Sequence, residues 1–175
     1  MEPVTLSTTI ARPREEVFEY LADVANHPEF TDHFLLDWHL TREDSYGRGA
    51  GARFRVKTRV DRFAYGDITL DEVQPPELIV ATGRGGRFNR IRSRSTWTLS
   101  RAEDGSTMVE FATSSDPSTA SDRLMEKLLR TRSAATRHHK RALQRLRRIL
   151  ESGEQRGARA TLSGGARKPA TGFRL

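Results

Sequence analysis

The chain begins by alternating. Val4, Leu6, Thr8 and Ile10 share one side of an extended segment, the period of two expected of a half-buried strand. The period then lengthens. Val17, Leu21 and Val24 recur at helical spacing, flanked by Phe18 and Tyr20. Pro13 stands where a first-turn N–H is not needed, and Glu15 and Glu16 face the positive end of the helix dipole. Pro28 disfavours helical geometry in His27 before it, so the stretch "VANHPEFTDHF" predicts a break and a short second helix from about Pro28 to His33.

Strand patterns follow one another through the middle of the chain. Phe34, Leu36, Trp38 and Leu40 form one face. In "ARFRVKTRV", residues 52–60, Ala52, Phe54, Val56, Thr58 and Val60 lie on one side and Arg53, Arg55, Lys57 and Arg59 on the other. A loop of Asp61, Arg62 and Phe63 leads to the next strand, 64–73. The register expected there pairs Val56 with Ile68 and Phe54 with Leu70, and sets Lys57 opposite Asp67 and Arg53 opposite Asp71. "PPELIVATGRGG" reads as a turn, a short strand and a glycine loop. "NRIRSRSTWTLS" and "STMVEFATSS" read as a hairpin about Glu103, Asp104 and Gly105. That hairpin pairs Trp97 with Phe111 and Leu99 with Val109, and points Arg90, Arg92 and Arg94 away from them.

Residues 119 to about 151 read as one long helix capped by Ser118 or Thr119. Its Leu124, Leu128, Ala135, Ala142, Leu146 and Ile149 gather within about 40° of one direction. The order is therefore strand, two short helices, six strands, long helix. Short connections make the sheet antiparallel, and the helix stripe must bury against its apolar face. This is an α+β grip.

At this level of detail the sequence resembles the START-like, or SRPBCC, superfamily, in particular its polyketide cyclase/dehydrase and lipid-transport families. "ARPREEVFEYLADVANHPEF", "YGRGAGARF", "DEVQPPELIVAT" and the long terminal helix carry the resemblance, over roughly residues 3–150. It implies a helix-grip fold, in which a curved seven-stranded antiparallel sheet wraps the C-terminal helix and leaves a cavity between them. It also implies a hydrophobic or amphipathic small-molecule ligand. The strand and helix faces read above then nominate the cavity lining as Leu36, Trp38, Phe54, Val56, Ile68, Leu70, Ser95, Trp97, Phe111, Thr113, Ala135 and His139. The superfamily's range leaves three functions open: a binding or carrier protein for a lipid or polyketide-like compound, a cyclase, aromatase or dehydratase in the same cavity, and a protein-docking or stress-response module.

Composition adjusts this picture at the ends. Residues 153–175 lack apolar periodicity and are rich in Gly, Ala, Arg and Ser. We therefore expect a domain over 1–152 and a disordered basic tail over 153–175. Arg156, Arg159, Arg167, Lys168 and Arg174 against Glu154 place +4 of the formal +7 in that tail, so the basic pI says little about the domain. The chain has no cysteine, which removes disulfide, thiolate and Cys-zinc chemistry. It has no apolar run of the roughly 18 residues that a membrane span needs, and its first residues lack the apolar core of a signal peptide. A cytoplasmic location is the simplest expectation.

Candidate chemistry is sparse. The basic strand Arg53, Arg55, Lys57 and Arg59 reads first as a solvated face with cross-strand charge pairs. Between Lys127 and Leu150 the helix carries eight bases and no acid. We read that as a solvated face too, with contact to an anionic membrane surface through Arg137, Lys140, Arg141, Arg145 and Arg148 as the alternative. No aromatic is interleaved there, which disfavours nucleic acid. "GRGAG", 47–51, has the look of a phosphate loop but lacks the Gly-Lys-Ser/Thr ending and leads into a strand; it and "GRGG", 83–86, are expected at a cavity mouth. Histidines are the neutral-pH acid/base candidates. His27 and His33 belong to the helix break, and His39 shares a face with Asp37. His139 lies about 40° from the centre of the helix stripe. It reads as a histidine at the edge of the core or, alternatively, as a residue placed to hydrogen-bond a ligand or, like a neighbouring hydroxyl, to move a proton. Thr58, Ser93, Ser95 and Thr113 are either polar anchors of a pocket or strand formers packed under the helix. No metal-ligand spacing occurs and no cofactor is expected.

Overall fold

A computed structural model describes residues 1–58, 64–129, 131–153 and 159–162. Strand β1 (Val4–Ile10) leads into helices α1 (Arg14–Ala22) and α2 (His27–Thr31), joined by a 3₁₀ turn at Val24–Asn26. Six strands follow: β2 (Leu35–Leu40), β3 (Gly51–Val56), β4 (Tyr65–Gln74), β5 (Leu78–Gly85), β6 (Ile91–Arg101) and β7 (Thr107–Pro117). Helices α3 (Ala120–Leu128) and α4 (Thr131–Ser152) close the domain. The seven strands form one antiparallel sheet in the order β1-β7-β6-β5-β4-β3-β2, with α4 against it: an α+β helix-grip architecture.

The break between α1 and α2 falls at Asp23, whose backbone is extended, and not at the residue before the proline. His27 adopts helical angles (φ −58°, ψ −36°) despite preceding Pro28. Two bonds offset the steric cost of that placement: the buried His27 ring donates from Nε2 to the Leu21 carbonyl (2.8 Å), and the Thr31 hydroxyl donates to the His27 carbonyl (2.7 Å). Asp23 accepts from Ala25 N (3.0 Å), and Asn26 Nδ2 bonds the Tyr20 carbonyl (3.0 Å), so the V-shaped pair is tied on both arms. Arg145 of α4 then reaches across, donating to the Glu29 carbonyl (2.9 Å) and to Asp32. The helix pair thereby props the end of the terminal helix.

The β6–β7 hairpin has the register read from sequence, with Trp97 opposite Phe111 and Leu99 opposite Val109. The β3–β4 hairpin does not. Ala52 faces Ile68, Arg53 faces Asp67 and Phe54 faces Gly66, a displacement of four residues from the expected pairing. An even displacement keeps every side chain on its own face, so alternation alone cannot detect it. Gly66 favours the observed register: a Cβ there would lie 3.0 Å from Phe54 Cε2, so the ring needs a glycine opposite it. Of the expected tip, Val60 and Asp61, Arg62 and Phe63, like Arg59 before them, lie outside the described residues. On the outer face Arg55 pairs with Asp37 (3.1 Å) and both are half exposed, in keeping with a solvated, charge-paired surface.

The terminal helix is divided. Thr119 caps α3 through Asp122 N, as expected, but α3 ends at Leu128 and α4 starts at Thr131. The Thr131 hydroxyl donates to the Glu126 carbonyl (3.2 Å), an acceptor that an unbroken helix keeps for its own ladder. The break turns α3 away from the stripe of α4, and Leu124 and Leu128 are 59% and 69% exposed instead of buried. Beyond α4, Ala160 is buried; its N–H bonds the Ala25 carbonyl (2.8 Å), and Leu40 N bonds the Thr161 carbonyl (2.9 Å). Arg159 pairs with Asp23. Residues 159–162 of the expected tail thus lie on the body of the domain; 154–158 and 163–175 lie outside the described residues.

Candidate ligand-binding site

A cavity of about 850 Å³ lies between the sheet and the first half of α4. Its walls follow from strand alternation. β6 contributes Ile91, Ser93, Ser95 and Trp97, every second residue, and β7 contributes Phe111, Thr113 and Ser115. Phe54 and Val56 of β3 and Ile68 of β4 continue the surface. From α4 come Ala134, Ala135, His138 and His139, and α2 closes one side with His27, Phe30 and Thr31.

Ten of the twelve residues nominated from sequence line this space: Trp38, Phe54, Val56, Ile68, Ser95, Trp97, Phe111, Thr113, Ala135 and His139. Leu36 and Leu70 do not. Asp37 has a positive φ of 55° and the β2–β3 register shifts between Leu36 and His39, so a bulge puts Leu35 on the cavity side in Leu36's place. Leu70 is fully buried in the core beyond the cavity. Sequence reasoning also missed Phe34, Leu35, Lys57 and Arg137 as lining residues. The glycine stretches separate: Gly85 and Gly86 stand at the cavity, whereas Gly47 and Gly49 bond the Ala22 and Leu70 carbonyls elsewhere in the fold.

The interior is aromatic. Trp97 and Phe111 rings lie 4.3 Å apart, Trp38 and Phe54 4.8 Å, and His139 packs 4.8 Å from Phe111 and 5.2 Å edge-on to Phe34. Such offset and edge contacts give the walls a fixed shape. Polar groups interrupt it. Ser95 and Thr113 are cross-strand partners on the cavity face, with Ser93 next along β6. Ser115, beside Ser93, donates to Glu126 of α3 (2.8 Å). The Trp38 indole N–H is buried with no partner among the described residues.

Histidines cluster where α2, β2 and α4 meet. His33 Nε2 donates to the His138 carbonyl (3.2 Å), while its Nδ1 accepts from Arg145 (3.4 Å), which requires a neutral ring. Burial lowers its pKa, and Arg141, Arg145 and His138 add to the effect against the opposing backbone bond. His138 is stacked on Phe34 (5.0 Å, 12°), and its pKa is lowered by burial and then by Arg137, Arg141 and Lys57. Burial, followed by His138 and His33, lowers the His139 pKa to about 4, so its ring is neutral at pH 7 and offers one donor and one acceptor at the cavity. His27 is neutral for the same reason, and His39 stays on the outer face, bonding the Asp37 carbonyl (3.0 Å).

Among the described residues no group of three His, Asp or Glu side chains is placed to hold a metal ion. No described helix is long and apolar enough to cross a membrane. The basic helix does not present a uniform face either: Arg145 is turned onto α2 and Arg137 lies at the cavity.

A curved antiparallel sheet gripping a terminal helix over an apolar cavity defines the SRPBCC, or START-like, class. The chain belongs to the polyketide cyclase/dehydrase and lipid transport family, whose model matches residues 1–151. No curated protein matches it significantly. Among solved structures it is similar to DynU16, from the dynemicin biosynthetic locus, with 19% identity and a TM-score of 0.59 over 89% of this chain. The chain spans about half of that protein, 49% of its length. It is also similar to a protein from Deinococcus radiodurans (17% identity, TM-score 0.59, 87% of this chain and 99% of that one). A third is the Aha1 dimer from Colwellia psychrerythraea (13%, 0.59, 88% and 99%). At these identities the likeness speaks for the fold alone.

Proposed function

We propose that the protein binds a hydrophobic or aromatic small molecule, such as a lipid or polyketide-like compound, in the cavity between the sheet and α4. The observation that carries this reading is a space of about 850 Å³ walled by Trp38, Phe54, Trp97 and Phe111, with Ser93, Ser95, Thr113 and His139 turned to it. Sites for small molecules have that make-up: a mostly apolar volume of roughly 300–1,000 Å³ with a few convergent polar groups. Family membership supports the same reading.

A cyclase or dehydratase reaction in this cavity is the second reading, and His139 is the residue that favours it. Its low pKa suits a neutral hydrogen-bonding partner better than a general acid at pH 7. Binding therefore stands first. Native mass spectrometry of the purified protein tests it, together with thermal-shift measurements against a panel of fatty acids and polycyclic aromatics. A bound small molecule or a saturable stabilisation is expected; an empty spectrum with no stabilisation by any member of the panel would overturn the proposal. Turnover that is lost in His139→Ala while affinity is retained would move the reading to an enzyme.

A further inference from the structure

Among the described residues three cationic side chains line the cavity: Lys57, Arg84 and Arg137. They are not equivalent. Arg84 adjoins Asp67, which also lines the space and accepts the Arg84 backbone N–H (2.8 Å), so that corner carries its own counter-charge. Lys57 and Arg137 have none among the described residues. Lys57 follows β3 and its N–H bonds the Phe34 carbonyl (2.8 Å); the Phe34 ring stacks on His138, the neighbour of Arg137 on α4. The charges of Lys57 and Arg137 both reach His138, which places them on the same side of the cavity. Neither forms an ion pair with an acid among the described residues.

Both are exposed at the cavity rim, where like charges set beside an apolar wall repel one another. An anion placed there relieves that repulsion. Behind them lie Phe34, Trp38, Phe54 and Phe111, which take an apolar body and supply no charge.

From this juxtaposition we infer that the ligand is an amphipathic acid, its carboxylate or comparable anionic group held between Lys57 and Arg137 and its apolar body among the aromatic walls. This rests on the binding reading above and narrows it to a chemical class. The anion also faces His138 on α4, beside which stand His33 after α2 and Arg141 one turn further along α4. It therefore stabilises the protonated form of His138, whose pKa is held down by burial first and then by Arg137, Arg141 and Lys57.

Dodecanoic acid and dodecan-1-ol, equal in chain and different in charge, separate the two levels of the proposal. Titrated into the full chain at pH 7.5, the acid is expected to bind at least about tenfold more tightly than the alcohol. Lys57→Gln and Arg137→Gln are each expected to weaken the acid by about three- to tenfold and leave the alcohol unchanged, while Arg148→Gln, an exposed site on α4 away from the cavity, changes neither. In proton NMR titrations the His138 pKa should rise on saturation with the acid and stay in place with the alcohol. Equal affinities for acid and alcohol, or equal losses of both in the Gln variants, would overturn the inference while leaving the binding reading intact. Failure of both probes to bind would overturn the two together.

Discussion

The two halves of α4 stand in different surroundings although they belong to one helix. The second half is packed like a core. Leu146 is fully buried, Leu143 and Ile149 nearly so, and the end of the helix is tied to the β1–α1 junction: Ala11 N bonds Glu151 (2.8 Å) and Arg12 bonds the Leu150 carbonyl (2.8 Å). The first half presents Ala134, Ala135 and His139 to the same sheet and leaves a cavity beneath them. Side-chain volume accounts for the difference. Leu and Ile fill the distance from helix to sheet, whereas alanine cannot, and with the break before Thr131 Leu124 and Leu128 stay exposed, Leu128 at the edge of the cavity, instead of packing beneath α4. One half holds the domain together and the other holds space open.

That contrast can be broken at its stable end first. Leu146→Ala should cost about 2–5 kcal/mol in denaturant unfolding, because a fully buried leucine leaves a void among packed neighbours. Acid should act at the open end. The unfolded chain protonates His139 near its ordinary value of 6.5, but the folded chain only near about 4. Below pH 6.5 the unfolded state therefore binds more protons, and stability complete above that pH is lost as pH falls towards 4, by up to about 3 kcal/mol. His27, also lowered by burial, contributes in the same direction. His139→Phe should flatten this acid dependence in pH-resolved thermal melts but not abolish it.

Smaller effects sharpen the comparison. Ala135→Phe fills space that is empty, so unfolding free energy should change by less than about 1.5 kcal/mol while ligand affinity falls at least tenfold. Were the first half packed like the second, the same substitution would destabilise instead. Arg55→Ala on the outer face removes a half-exposed pair with Asp37 and should cost under about 1 kcal/mol by chemical denaturation.

Much of this was legible in the sequence, for reasons that can be named. The Trp97–Phe111 and Leu99–Val109 pairs were readable because a short turn fixes the hairpin register. The β3–β4 register was not. Its loop is longer, an even slip preserves both faces, and the deciding contact is a ring lying over Gly66, which no polarity pattern records. Leu36 was misplaced because the bulge at Asp37 is a backbone feature without a glycine to mark it. The break near Thr131 was equally hidden, since neither proline nor glycine stands there. The basic helix looked uniform as a string of charges; only the tertiary structure divides Arg145, committed to α2, from Arg137, facing the cavity.

The central claim, that the space under the first half of α4 takes a ligand, has a built-in reporter. The chain has two tryptophans, and both Trp38 and Trp97 line the cavity. Their fluorescence, followed while an apolar or amphipathic probe such as dodecanoic acid or anthracene is added, should change saturably at one ligand per chain, and that change should disappear in Ala135→Phe. A flat titration across such probes, or a saturable change of undiminished affinity in Ala135→Phe, would contradict the account.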